Sequence, residues 1–594
     1  PAEAPAAGDG EGSKRRKGDD MTGLRKVVMH GLEGLNCDVL RGALERQGIP
    51  IMKTWKQTKG GTAEICLPDE WAVVAGCCRV LDAQSIKGKV VRIDWAAGND
   101  DLRPEGAGDG SQRSLVRQVA QLHDMSYEQQ LVFKEAVLRN SLRRTTLAMQ
   151  QEVVRDKAGQ AAPLPQWIKA AKRGPIVPVS CVHRSPIENG YRNKNEFTVG
   201  FDRDDSPQIG FRYGRYIDGK SGVGSAETCP NIPEEALAVA RCTKDFIVNY
   251  QKLGCWEVEK HLGVWRQLTV RHSTAGDVLA IIQYSSNNCT RVELHQGLEK
   301  MKAFLIKQAE EGKMKLSALY GQEHNAVSNK AADDCPLIHM WGEECFYETL
   351  LGLKFRISPT AFFQVNTKAA EVLNGLIRDW ACANDSQVVL DVCCGTGTIG
   401  LCIASHAKQV VGIELCEPAV RDAEANAKVN DISNCVFMAG RAEAKIREAI
   451  TKYVPKGQSC VAVVDPPREG LHHKVLTALR QTKEIERIVY VSCNHVNFIE
   501  QAVKLCSPNK AKYSGEPFEI VMANGVDLFP HTQHVELIVL LERGETLARR
   551  KGETAEKDGS EELAASSVAP ETGAAAPDAG GEAAGGAEGP KEGG

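Results

Sequence analysis

Nowhere in these 594 residues is there an uninterrupted apolar run of about eighteen, the length a membrane-spanning helix needs, so a membrane is not an expected partner. The first twenty residues, PAEAPAAGDGEGSKRRKGDD, hold no apolar signal core, and their acidic residues argue against a mitochondrial presequence. No C-x-x-C occurs among the 20 cysteines, and the neighbours Cys77–Cys78 and Cys393–Cys394 lack metal-finger spacing. Neither structural zinc nor an iron–sulfur cluster is expected, and no metal site. Scattered cysteines in a long chain suit a reducing compartment better than a disulfide framework. A global excess of positive charge is missing too. The formal net charge is −4, so any nucleic-acid surface has to be a local patch. The expected compartment is the cytosol. Lys14 to Lys17 (KRRK) leaves the nucleus open, although a solvated charge cluster is the stronger reading of those residues.

Large apolar residues are nearly absent from residues 1–21 and from the acidic tail 544–594, which is Ala, Gly, Glu and Pro. Such segments cannot bury enough surface to offset ordering entropy, so both are expected to be disordered. A polar, Gly- and Pro-containing linker is expected over 97–115.

Between the first tail and that linker, residues 22–96 have a clear rhythm. KVVMHGL reads as a strand, CDVLRGALERQG as a helix, IPIMKTWKQ and GTAEICL as strands, DEWAVVAGCCRVLDAQ as a helix and GKVVRIDWA as a strand. The βαββαβ order is that of a ferredoxin-like α+β domain and resembles an RNA-recognition motif. Val28, Thr62 and Glu64 stand where that module carries base-stacking aromatics, so protein packing or another mode of RNA contact is at least as well supported as stacking.

Residues 116–350 form a helical and strand-rich central region. It opens with a long basic helical pattern from Tyr127, and from about Cys181 to Gln283 it is strand-like. Arg192, Lys194, Arg266 and Arg271 sit beside aromatics there, which suits an RNA-facing sheet, with solvated charges an equal alternative.

The specific signal lies in residues 351–543. A buried-type strand, QVVLDVC, runs into CGTGTIGLCIA, where Gly395 and Gly397 allow a tight turn before a helix. The next strand, KQVVGIE, ends in Glu414, about twenty residues on, which is how a Rossmann-like unit holds a ribose. The turn lacks the third glycine of a dinucleotide site, and its D-x-C-x-G-x-G form resembles the S-adenosylmethionine loop of class I methyltransferases. Two further apolar strands end at Asp465 (VAVVDPPREGL) and Cys493 (IERIVYVSCN). In an open α/β sheet Glu414, Asp465 and Cys493 then converge on one crevice beyond the strand ends.

Five words in order, FRISPTAFFQVN, LDVCCGTGTIGL, DPPREGL, VSCN and DLFPHTQHVE, resemble the uracil-5-methyltransferases of RNA. The resemblance implies S-adenosylmethionine as cofactor, tRNA as partner rather than DNA, and the T-loop uridine as target. It implies Cys493 as nucleophile and Glu536 as the base that takes the C5 proton. Cofactor contacts fall on Gln364, Cys393, Thr398, Glu414 and Asp465. A monomer is expected. One residue departs from the family: His495 follows SCN where proline is usual. Three rivals stay open at this point. An amino-group methyltransferase normally has an aromatic where Arg468 stands, a cytosine-5 RNA methyltransferase has different words around its cysteine, and a non-catalytic tRNA-binding or folding protein would not need both Cys493 and Glu536.

Overall fold

The computed structural model describes residues 112–547, except 156–163, 173, 214–221, 251, 327–334, 382–385 and 509–512, together with short strands between Leu24 and Asp94. Four of those strands form an antiparallel sheet in the order Lys53–Lys56, Ala63–Pro68, Leu24–His30, Arg92–Asp94, with Val28 paired to Glu64. The two helices expected in this region, Thr62, and the terminal segments 1–21 and 548–594 lie outside the described residues. The linker ends earlier than its composition suggests, because a helix already runs over Gln112–Val119.

The central region is built on a seven-stranded sheet. Its order is Val223–Ser225, Pro207–Arg212, Lys194–Phe201, Trp265–His272, Val278–Tyr284, Ala318–Glu323, Leu337–Gly342. Only Val278–Tyr284 and Ala318–Glu323 run parallel, joined by the crossover helix Arg291–Glu310. That helix starts on a full capping box, Thr290 with Glu293, which satisfies two of its otherwise orphaned backbone donors. Arg266 and Arg271 correct the expectation of an RNA-facing pair. Both are buried. Arg266 donates to the carbonyls of His324 and Ala326 and lies over the Trp256 ring. Arg271 donates through Nη1 to the carbonyls of Ser358, Pro359 and Ala361. Flanking aromatics marked a packed interior there, not a stacking platform.

The C-terminal half is built on one eight-stranded mixed sheet. Its strands, in chain order, are β1 (Val179–His183), β2 (Val388–Val392), β3 (Gln409–Glu414), β4 (Cys435–Ala439), β5 (Cys460–Val464), β6 (Ile485–Ser492), β7 (Phe518–Val526) and β8 (Glu536–Arg543). In space they run β4-β3-β2-β5-β6-β8-β7-β1. The five from β4 to β6 are parallel. β8 then inserts antiparallel between β6 and β7. β2, β5 and β8 are buried along their whole length, and as strands covered on both faces they are largely apolar without alternation, with Asp391 in β2 and Glu536, Glu542 and Arg543 at the ends of β8 as buried exceptions. One core face gathers Leu390, Val464, Ile488 and Leu541, and the other Val389, Val463, Val491 and Ile538.

Part of the region assigned to the centre belongs here instead. β1 pairs with β7 and completes the eight-stranded sheet, and the long helix α1 (Tyr127–Arg155) contributes Leu138, Leu142 and Met149 to its core. The apolar residues of α1 recur at helical spacing, but only the fold says which core they enter.

Candidate active site

The glycine turn follows β2. Cys393 has φ +67°, Gly395 +54° and Gly397 +80°, so three of five residues take the left-handed conformation that glycine tolerates and cysteine resists. Gly397 caps the short helix α2 (Thr398–Ile403), and a Cβ on Gly397 would press on Ala423 and Phe437 at 3.0 Å. At Gly395 a Cβ would meet nothing within 4 Å, so the turn borders open space. Glu414, closing β3, is fastened to this turn. It accepts the Gly395 N–H at 3.0 Å through one oxygen and the Cys416 N–H at 2.9 Å through the other. Asp391, fully buried in β2, accepts the Gly400 N–H at 2.8 Å, while its second oxygen is buried with no protein partner. Burial, reinforced by Asp465 and Glu414, pushes the Asp391 carboxyl up to about 7.

Strand register brings the remaining residues to the same edge. Val392 faces Ile413 on one side and Val464 on the other, so Cys393, Glu414 and Asp465 each stand one residue past a matched position. Burial pushes Asp465 up to about 6, and burial with Glu414, Asp391 and Asp465 pushes the Cys393 thiol to about 12. The sequence did not reveal how Glu536 reaches Cys493. On the antiparallel strands β6 and β8 Val491 pairs with Ile538 and Ser492 with Leu537, so Cys493 and Glu536 are the residues that adjoin the last pair. Burial, then Glu536 and Asp465, pushes the Cys493 thiol up to about 11, with Arg468 opposing. Glu536 is 2% exposed. Its carboxyl is held well above the usual range by burial and then by Asp465, again with Arg468 opposing.

Two further loops complete the rim. Gln364 is half-buried, and its backbone is fixed from the central sheet: Asn193 donates through Nδ2 to the Gln364 carbonyl at 2.9 Å, beside the three carbonyls held by Arg271. The loop before Glu536 is tied to α1 by Lys134. Its ammonium, fully buried, bonds Asp527 at 2.5 Å and the Phe529 carbonyl at 2.9 Å. Sequence reasoning missed Asn193, Lys134 and Asp527 as site supports. Asp527 opens a word already singled out, but its partner lies 393 residues away in the chain.

Residues 351–544 match the family model for tRNA (Uracil-5-)-methyltransferase. The chain is 38% identical over 477 residues to tRNA (uracil-5-)-methyltransferase homolog A of Mus musculus, covering 78% of this chain and 75% of that protein. The chain belongs to the tRNA (uracil-5-)-methyltransferase family. It is also 36% identical to the human homolog B, over 88% of this chain and all of that one. Among solved structures, a Pyrococcus abyssi tRNA (uracil-54, C5)-methyltransferase in complex with S-adenosyl-L-homocysteine shares the fold, with a TM-score of 0.50, 22% identity, and coverage of 72% of this chain and 86% of that one. As a methyltransferase, the chain offers suitable groups for a ligand that joins a cationic sulfur to a hydroxylated sugar. Carboxylates surround the crevice, the turn beside Glu414 is open, and Asp391 has a spare buried oxygen. Among the described residues no group of three or more His, Cys, Asp or Glu could hold a metal ion.

Proposed function

We propose that this enzyme transfers a methyl group to C5 of uracil in RNA, at the T-loop uridine of tRNA, with Cys493 as nucleophile and Glu536 as base. The observation that carries the reading is that β6 and β8 end together, Ser492 paired with Leu537, so that Cys493 and Glu536 are the adjoining residues and the Glu536 carboxylate acts on the Cys493 thiol, beside Asp465. S-adenosylmethionine, when bound, supplies an electrophilic methyl group on a sulfonium. Glu414 would hold its ribose hydroxyls, with Cys393 and Thr398 lining the turn and Asp465 and Gln364 completing the pocket.

C5 of uracil is too weak a nucleophile to take a methyl group unaided. The Cys493 thiolate forms a bond to C6, and the ring electrons shift to give an enolate with nucleophilic C5. After C5 has gained the methyl group it carries a hydrogen as well. Glu536 takes that proton, the C5–C6 double bond re-forms, and the C6–S bond breaks with its electron pair returning to sulfur. Burial raises the basicity of Glu536, which suits abstraction from carbon. Cysteine fits the first role because a thiolate both adds and leaves readily. The base has to leave its stack to reach this depth.

The N-terminal strand order supports a ferredoxin-like module over residues 22–96, and we assign it an auxiliary part in RNA contact. Incubation with labelled S-adenosylmethionine and total tRNA, followed by nucleoside analysis, tests the main reading: label is expected in 5-methyluridine, and label in any other nucleoside rejects it. Cys493→Ala should form no covalent RNA–protein species. Glu536→Gln should accumulate one carrying the methyl group, since elimination stalls. Wild-type turnover by Glu536→Gln removes Glu536 as the base.

A further inference from the structure

The residue that departs from the family pattern is bonded to an unexpected partner. His495 opens the helix α3 (His495–Cys506), two residues after Cys493. Its Nδ1 lies 2.6 Å from the hydroxyl of Ser141, a buried residue near the middle of α1. Between them, Asn494 caps α3 by accepting the N–H groups of Val496 and Asn497, and Asn494 and Asn497 both donate to the Arg468 carbonyl. The turn that presents Cys493 is therefore fixed on one side by the loop after Asp465 and on the other by α1.

The same helix holds the loop that leads to Glu536. Gln130 accepts the His531 N–H at 2.7 Å, and Lys134 holds Asp527 and the Phe529 carbonyl. His531 itself has φ +67°, a conformation a histidine keeps only where its surroundings impose it. Gln130, Lys134 and Ser141 are four and seven residues apart, so they fall on one stripe of a helix with 3.6 residues per turn. One rigid element thus touches the segments on both sides of the reacting pair.

We infer that α1 sets the separation of Cys493 and Glu536, and that His495, through Ser141, is the positioning residue on the cysteine side. This rests on the function proposed above. Proline at the first position of a helix fixes φ near −65° without needing any side-chain partner. Histidine leaves that backbone freer and supplies the constraint through its ring. Two arrangements achieve the same placement, and the second makes the cysteine turn depend on Ser141.

The test uses the full-length protein, S-adenosylmethionine and tRNA transcribed with 5-fluorouridine. Fluorine at C5 cannot be removed as a proton, so once the thiolate has added at C6 and C5 has taken the methyl group, the C6–S bond persists and the adduct can be timed on a denaturing gel. Ser141→Ala should slow adduct formation about five- to tenfold, the scale of one lost hydrogen bond, with cofactor affinity by calorimetry unchanged. In a His495→Pro background the adduct should form near the wild-type rate, and adding Ser141→Ala should change it less than twofold. A purely structural role for Ser141 would slow both backgrounds alike. Equal slowing in both, or no slowing of the single variant, overturns the inference while leaving the proposed function intact. Failure of the unmodified protein to form any adduct overturns the proposed function, and this inference with it.

Discussion

Replacing Arg271 by methionine separates two roles that give opposite experimental signatures. In the structure the guanidinium is 1% exposed and its Nη1 points at the carbonyls of Ser358, Pro359 and Ala361, in the loop that continues to Gln364. One amino group has two hydrogens, so the three contacts amount to about two full charge-assisted bonds, each worth roughly 1.5–3 kcal/mol. Burial of the cation offsets part of that gain, and it pulls the guanidinium down to about 10. Methionine replaces the arginine stem but not the guanidinium, so a small cavity and the carbonyls left without a donor add to the loss. A net loss of about 2–4 kcal/mol is expected, concentrated in the 358–366 loop. The assay has two arms. Urea unfolding and amide exchange should show the loss and faster exchange in that loop. Filter binding of tRNA at several salt concentrations should show an unchanged salt slope, because no phosphate contact has been removed. A side chain on an RNA surface would do the reverse, sparing stability and lowering the slope by about one. That second pattern, in a stably folded variant, refutes the assignment of Arg271 to the interior.

Other expectations follow from the same geometry. Glu414→Ala removes the carboxylate fastened to the glycine turn and should weaken S-adenosylmethionine binding by about 1–3 kcal/mol, and calorimetry showing unchanged affinity in a folded variant takes Glu414 out of the site. Since burial and acidic neighbours push the Cys493 thiol up to about 11, its thiolate fraction rises about tenfold per pH unit below that value; adduct formation should climb steadily from pH 6 to 9, and a plateau already at pH 7 contradicts it. Arg480, buried and donating to five carbonyls from Lys504 to Gly515, should cost about 3–5 kcal/mol when changed to methionine, read from the urea midpoint. Deleting residues 1–96 should leave part of the methyl transfer intact, and complete loss with a folded remainder gives the N-terminal module a catalytic necessity it is not assigned here.

Much of the catalytic half is legible in the chain because its physics is local. A strand buried on both faces is largely apolar, a tight turn against a ligand needs glycine, and an acid at a strand's end stands at the sheet's open edge; Leu390, Gly395, Gly397, Glu414 and Asp465 declare those roles within a few residues of sequence. What required the tertiary structure is whatever depends on strands and helices far apart in sequence. Arg271 looked exposed beside aromatics, but its partners are carbonyls from another part of the chain. β1 and α1 read as parts of the central region, yet they complete and cover the catalytic sheet. The closing pair is the clearest case. Cys493 and Glu536 each carried a recognisable word, but only the antiparallel insertion of β8 beside β6 brings the ends of those strands, and so these two residues, together, because strand register is fixed by the burial of whole faces and not by any residue within the words themselves.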